Sequence, residues 1–407
     1  MAATNDLNAL FKRVYGDGTI KAVPKFAKIM KTVPFSQQEK LGDMYVVPVL
    51  LQHEHGFTYG AHGDGAFTLN AAIAGSVSQA QVRGGMIVLR SRLSYEDVFK
   101  AAQAGPAAFE SATGLVVENM QVSFAKRQEL AFLYGQQGIG QVSGISSGVI
   151  TLTDASWAPG IWSGMKDCIL EAFTSQAASS TQHDTDLTVS AVSQADKQVT
   201  VTGTSSSVVA NDHLYFKGAK STTAYKECAG IDKIMSNTGT LFNISASSFE
   251  LWKANTRAVG GPISMLAILN GVSDAVNNGL MEDAVVYLGT TRWNSLNSDQ
   301  AALRRYGAQA SKAENGSEAI SYYSVNGSTS IEAHPFVKEG EGFLIPNPAK
   351  RLVRVGASDI TFRRPGRADQ IFLEVPDVAG LELRAFADQA IMLTVPAQST
   401  KYTGITN

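Results

Sequence analysis

A chain of 407 residues is long enough for two or three domains, and its 44% hydrophobic content can supply their cores. Only 17% of the residues are charged, against ~25% in an average soluble domain, as expected of a chain that covers much of its surface with other subunits. A net charge of −2 argues against a general polyanion binder, and two cysteines outside any C-x-x-C pair, Cys168 and Cys228, argue against a zinc site or a disulfide framework.

The N-terminus has no apolar core and cleavage site of the secretory kind, and no apolar run approaches the ~20 residues that span a bilayer. Residues 1–45 read as an extended arm, interrupted by Pro24 and Pro34. Up to residue 31 it carries Lys12, Arg13, Lys21, Lys25, Lys28 and Lys31 against Asp6 and Asp17, a local basic excess. MYVVPVLL (44–51) and VRGGMIVLRSRL (82–93) read as strands. Residues 52–81 between them are rich in Gly, Ala and His and poor in large apolar groups, so they have little core of their own to join. They are expected to form a long two-stranded excursion whose tip needs a partner.

Ser94 caps an expected helix to about Gln103, and Gly105-Pro106 interrupts the chain. Residues 107–134 are predicted as one long helix, with Val116, Met120, Phe124 and Ala131 on its apolar stripe and Gly135 as C-cap. Residues 135–155 read as a loop with a short strand, and Ser163–Thr174 as a short helix. LTVSAVSQADKQVTVTG is a hairpin signal within a small antiparallel module at 185–220. Beyond Gly230, Gly261-Pro262 opens a helix with Met265, Leu269, Val272 and Val276 on one face. AVVYLG (284–289) is a buried strand, and EAISYYSV, GFLIP, IFLEV and IMLTV supply further strands.

Few residues offer chemistry. Gly144-Ile145-Ser146-Ser147-Gly148 fits G-x-S-x-G, but a nucleophile elbow needs a strand before the serine and a helix after it, whereas VITLT follows. Dinucleotide and phosphate-loop spacings are not met. His53, His55, His62 and Asp64 are the one cluster with ligand-like content, on a Gly-rich stretch better suited to facing a partner. No catalytic, cofactor or metal residue is therefore assigned.

In this order, arm, excursion, long helix, mixed domain and returning strands, the layout resembles the major capsid proteins of tailed bacteriophages, the Hong Kong 97-like fold. TGTLFNISASSFELWKANT (238–256) is similar to that family's segment before the A-domain helices, and HPFVKEGEGFLIP (334–346) to its late loop and strand. The resemblance implies an α+β chain divided into an N-arm (1–43), an E-loop hairpin (44–93), a P-domain with its spine helix (94–184), a small β insertion (185–220), an A-domain (221–345) and return strands to the P-domain (346–407). It implies a structural protein and not an enzyme, self-assembling into hexamers and pentamers of an icosahedral head around double-stranded DNA. The partners implied are copies of the chain, a portal, a separate scaffolding protein, a decoration protein, and DNA held non-specifically on the inner face, with no membrane and no cofactor. Synthesis is expected in the host bacterial cytoplasm, and the destination is the virion. Some family members begin with a long charged helical scaffold, whereas this sequence runs from Met1 straight into the arm. The alternatives are a serine hydrolase acting through Ser146 and another phage structural or tail protein.

Overall fold

The computed structural model describes residues 27–37, 44–63, 65–95, 106–203, 205–298, 319–363, 371–374 and 380–406. The basic arm before residue 27 and most of the helix expected at 94–103 lie outside the described residues.

The elements follow from local pattern. A short helix α1 (Lys28–Thr32) and strand β1 (Phe35–Gln37) lead into β2 (Met44–Leu50), β3 (Val77–Arg83) and β4 (Gly85–Ser94). The long helix α2 spans Pro106–Tyr134, 29 residues and about 43 Å at 1.5 Å per residue. Its proline occupies a first-turn position where the missing N–H costs nothing. Of the expected stripe, Met120, Phe124 and Ala131 are buried and Val116 is partly buried, with Val117 buried next to it. The left-handed residue that ends the helix is Gln136 (φ 70°), one position beyond the expected Gly135.

Strand β20 (Gly380–Leu393) organises the sheet against which this helix packs. β4 runs antiparallel to it from Ser94↔Gly380 to Gly85↔Gln389. β18 (Leu352–Thr361) and β19 (Phe372–Glu374) also pair with it, and β1 adds in parallel to β18. Alternation puts Leu381, Leu383, Ala385 and Ala387 with Ile87 and Leu89 on the face toward α2.

Residues 140–216 close into a six-stranded barrel: β5 (Gly140–Ser146), β6 (Val149–Leu152), β7 (Ile169–Phe173), β8 (Gln182–Ser193), β9 (Gln198–Thr202) and β10 (His213–Phe216). Val142, Ile150, Leu170, Leu187, Val199 and Leu214 are among the side chains that fill it. The hairpin expected within 185–220 is β8–β9, and the barrel it joins begins at Gly140. The helix expected at Ser163–Thr174 is absent. A single turn at Pro159–Trp162 precedes Asp167, whose φ of 64° breaks any helix, and ILEAF is barrel strand β7.

After the short α3 (Ile231–Met235), β11 (Thr240–Leu241) and β12 (Ile244–Ser245) form a small hairpin. A six-stranded mixed sheet follows in the order β13-β21-β17-β14-β16-β15, from Asn255–Gly261, Thr400–Ile405, Gly342–Pro346, Ala284–Leu288, Gly327–Ala333 and Ala319–Ser324. Helix α4 (Met265–Asn277) covers one face, with Ser264 capping it by accepting from the Ala267 N–H at 3.2 Å. Met265, Ile268, Val272 and Ala275 form its buried face, so the stripe is rotated from the expected one, and Leu269 and Val276 are only partly buried. A Cβ at Gly271 would lie 2.3 Å from the Tyr402 hydroxyl, so glycine lets the ring lie against the helix and donate to the Ile268 carbonyl at 2.9 Å. The other face, with Tyr287, Phe343 and Ile345, joins the main core with Tyr134 and Trp157.

Candidate assembly surface

The pairing of β2 with β3 runs from Met44↔Arg83 to Leu50↔Val77. The return strand of the excursion is therefore Val77–Arg83, and the expected strand at 82–93 is split at Gly84 between two sheets. Past Leu50 the two chains stay together without strand geometry. The Leu51 N–H donates to the Ser76 carbonyl at 2.9 Å, the His55 N–H to the Ile73 carbonyl at 3.1 Å, and the Asn70 side-chain amide to the Phe57 carbonyl at 2.9 Å. At ~3.3 Å per residue such a ribbon can reach about 40 Å from the body.

The base of this ribbon is buried, with Tyr45 0% exposed and Ala80 and Val82 equally covered. Its outer part is open: Phe57 is 70% exposed, Tyr59 92% and Leu69 74%, with Phe67 and Ile73 also uncovered. Scattered surface apolar residues need no explanation, but several aromatic and aliphatic groups along one protruding ribbon mark an interaction surface. A second exposed apolar pair, Met281 and Val325, sits at one end of the six-stranded sheet, where the Asn326 side chain donates to the Glu282 carbonyl at 3.0 Å.

The segment 28–33 is fastened to the rest of the chain by buried charge. The N–H groups of Ile29 and Met30, unsatisfied at the start of α1, donate to the Glu129 carboxylate at 2.8 and 3.0 Å. His334 Nε2 lies 3.0 Å from the same carboxylate, and both side chains are fully buried. Because the Phe336 N–H donates to His334 Nδ1 at 3.2 Å, the ring proton sits on Nε2 and is donated to Glu129. Arg354 Nε donates to the Val33 carbonyl at 2.9 Å, and Lys28 pairs with Glu332 at 3.5 Å. Sequence reading missed this junction. The one signal was an acid set among apolar residues in QELAF.

A second buried charge cluster joins β21 to α3 and the end of α2. Lys401 pairs with Asp232 and, at 3.2 Å, with Glu341. Lys338 donates to the Gly138 carbonyl at 3.0 Å and lies over the Tyr134 ring. Burial pushes the Lys338 ammonium down and, with Asp232 nearby, the Glu341 carboxyl up.

Ser146 ends β5 and enters a two-residue turn in which Ser147 (φ 49°) and Gly148 (φ 79°) are both left-handed, the geometry of a type I′ hairpin. The chain passes from strand to strand, with no helix whose N-terminus could serve an oxyanion. His53, His55 and His62 lie on the exposed ribbon, and Asp64 falls outside the described residues. Among the described residues no group of three His, Cys, Asp or Glu side chains could hold a metal ion, and no helix is long and apolar enough to cross a membrane.

No family model matches the sequence, and no curated protein matches it. Solved structures do. The chain is similar to a subunit of the cyanophage A-1(L) capsid asymmetric unit with a TM-score of 0.52 at 10% identity, covering 92% of this chain and 91% of that one. It is similar to the capsid of the native GTA particle with a TM-score of 0.50 at 9% identity, covering 97% and 98%. At such identities the likeness is one of fold: the chain has the α+β fold of these capsid proteins along nearly its whole length.

Proposed function

We propose that this chain is the major capsid protein of a tailed bacteriophage, a structural protein that assembles into hexamers and pentamers closing an icosahedral head around double-stranded DNA. The observation that carries this reading is the apolar ribbon at 51–76, uncovered in one chain on a fold shared with capsid subunits. A ribbon that reaches away from its own core buries its aromatic groups only on another copy. The contact is heterologous, and a heterologous contact closes into rings when its rotation allows.

In this reading residues 1–43 form the arm, 44–93 the overlapping hairpin, 94–184 the central domain, 185–220 part of a β insertion, 221–345 the A-domain and 346–407 the returning strands. The basic residues before residue 27 meet packaged DNA on the inner face, a non-specific contact that weakens with salt. Portal, scaffolding and decoration proteins are the further partners that the resemblance supplies, and the virion is the location. Expression of the chain followed by electron microscopy of purified particles tests the proposal. Closed shells are expected, and a monodisperse monomer at high concentration, with or without co-expressed scaffold, would overturn it.

A further inference from the structure

Between α2, β4 and the barrel lies a cleft of about 380 Å³, far more than one water occupies. Ile87, Leu89, Phe124 and Phe216 are among its walls. The Arg127 guanidinium projects into it, stacked on the Phe216 ring with its central carbon 3.2 Å from the ring centroid. That group has five N–H donors, and its hydrogen-bond acceptor among the described residues is the Cys168 sulfur at 3.8 Å, a weak one. Glu227 also lines the cleft, and its charge and that of Arg127 act on each other. It accepts the Gln136 N–H at 2.8 Å just past the end of α2, and burial pushes its carboxyl up to about 7. At the rim Lys217 is held by Asp186, and Lys226 is exposed.

A cavity of this size with largely apolar walls and a few polar groups, Arg127 among them, has the anatomy of a small-molecule site. A guanidinium whose face is occupied by an aromatic ring keeps its edge free, and that edge matches a carboxylate bidentately. Burial lowers the Arg127 pKa, against the opposing pull of Cys168 and Glu227. We propose that this cleft binds a small amphipathic carboxylate, its head on the edge of Arg127 and its aliphatic or aromatic body against Ile87 and Leu89. The site lies within one chain, so its test runs on unassembled protein and is separate from whether shells form.

The probes are decanoate, decanol and decyl phosphate, added to the purified full-length chain. Decanoate is expected to raise the melting temperature in a saturating, concentration-dependent way, and equilibrium dialysis with labelled decanoate to give one bound molecule per chain. Decanol should give less than half the decanoate shift. Arg127→Gln should bring decanoate down to the decanol level, and Leu89→Trp, which fills the cleft and keeps the guanidinium, should abolish both shifts. If Arg127→Gln fails to fold, the dialysis stoichiometry and the Leu89→Trp arm still decide. Equal shifts from decanoate and decanol in the parent chain, a decanoate shift that survives either substitution, or non-saturating uptake would overturn the site. A larger shift from decyl phosphate than from decanoate would overturn the carboxylate assignment.

Discussion

The ribbon at 51–76 and the long helix α2 use similar side chains to opposite ends. In α2, Phe124 is 1% exposed, because Met120 and Phe124 on successive turns face the alternate residues of β4 and β20. In the ribbon, Phe57 and Tyr59 sit two residues apart and are 70% and 92% exposed, because beyond Leu50 no second layer among the described residues covers the two paired segments. An apolar residue stabilises whichever state buries it. For α2 that is the folded chain, and for the ribbon, on the function proposed above, it is the assembly. Stability and assembly should therefore separate cleanly by mutation.

The strongest way to break this comparison is at the ribbon. Phe57→Ser with Tyr59→Ser is expected to abolish shell formation while the melting temperature of the unassembled subunit stays unchanged, since neither ring packs on the core. Sedimentation and calorimetry of the same preparation check both halves. A subunit that melts much earlier would show the ribbon to be part of the folded core. Next in size is Phe124→Ala, which should cost about 3–5 kcal/mol, the usual range for emptying a buried aromatic site. Denaturant unfolding measures it, and an unchanged midpoint would place Phe124 outside the core.

Glu129→Gln is expected to cost about 1.5–3 kcal/mol, because one fully buried carboxylate receives two backbone N–H groups and the His334 ring N–H. The loss should be local. Hydrogen exchange at Ile29 and Met30 should quicken while the β18–β20 ladder stays protected. Uniform acceleration would mean that the arm junction and the sheet open together.

How much of this was readable beforehand depends on the range of the interaction. The long helix was legible because a period near 3.6 repeats within the segment itself, and AVVYL and GFLIP were legible as apolar runs too short for helices. The barrel was not. ILEAF can belong to a helix or a strand, and only pairing with β8 and β10 decides it. Glu129 as the acceptor for α1 was also out of reach, since the groups it binds lie 100 and 99 residues away. The same holds for the cleft beside Arg127, whose walls come from β4, α2 and the barrel. The excursion itself was legible as a segment with little to bury, although its return strand lay several residues earlier than its apolar pattern suggested.

A smaller effect should appear with pH. Glu227 is raised to about 7 by burial, well above the range of a carboxyl in an unfolded chain, so the folded state holds its proton more tightly. Stability from this group is complete in acid and is lost as the pH rises through about 7, with a slope of at most ~1.4 kcal/mol per pH unit. Glu227→Gln should flatten that decline. Melting temperatures at pH 5 to 8 for both chains check it, and parallel curves would show that Glu227 titrates alike in the folded and unfolded states.

The smallest expected effect is at Ser146, and there the turn makes a sharp control. Ser146 ends β5 and pairs with Val149, so it stands in a strand-to-strand hairpin and not at a strand-to-helix turn. Ser146→Ala should alter stability by no more than ~0.5 kcal/mol, the usual range for surface changes. It should also leave assembly and any esterase background untouched. Two residues on, Gly148 has φ 79°, and a Cβ there would lie 3.1 Å from the Val201 carbonyl oxygen. Gly148→Ala should therefore cost more than Ser146→Ala, because the left-handed turn, and not the serine oxygen, is what the G-x-S-x-G spelling serves here. A hydrolase activity lost with Ser146→Ala would reverse that order of importance and reopen the enzymatic reading. Equal stability of the two variants would show that the turn relaxes without left-handed geometry.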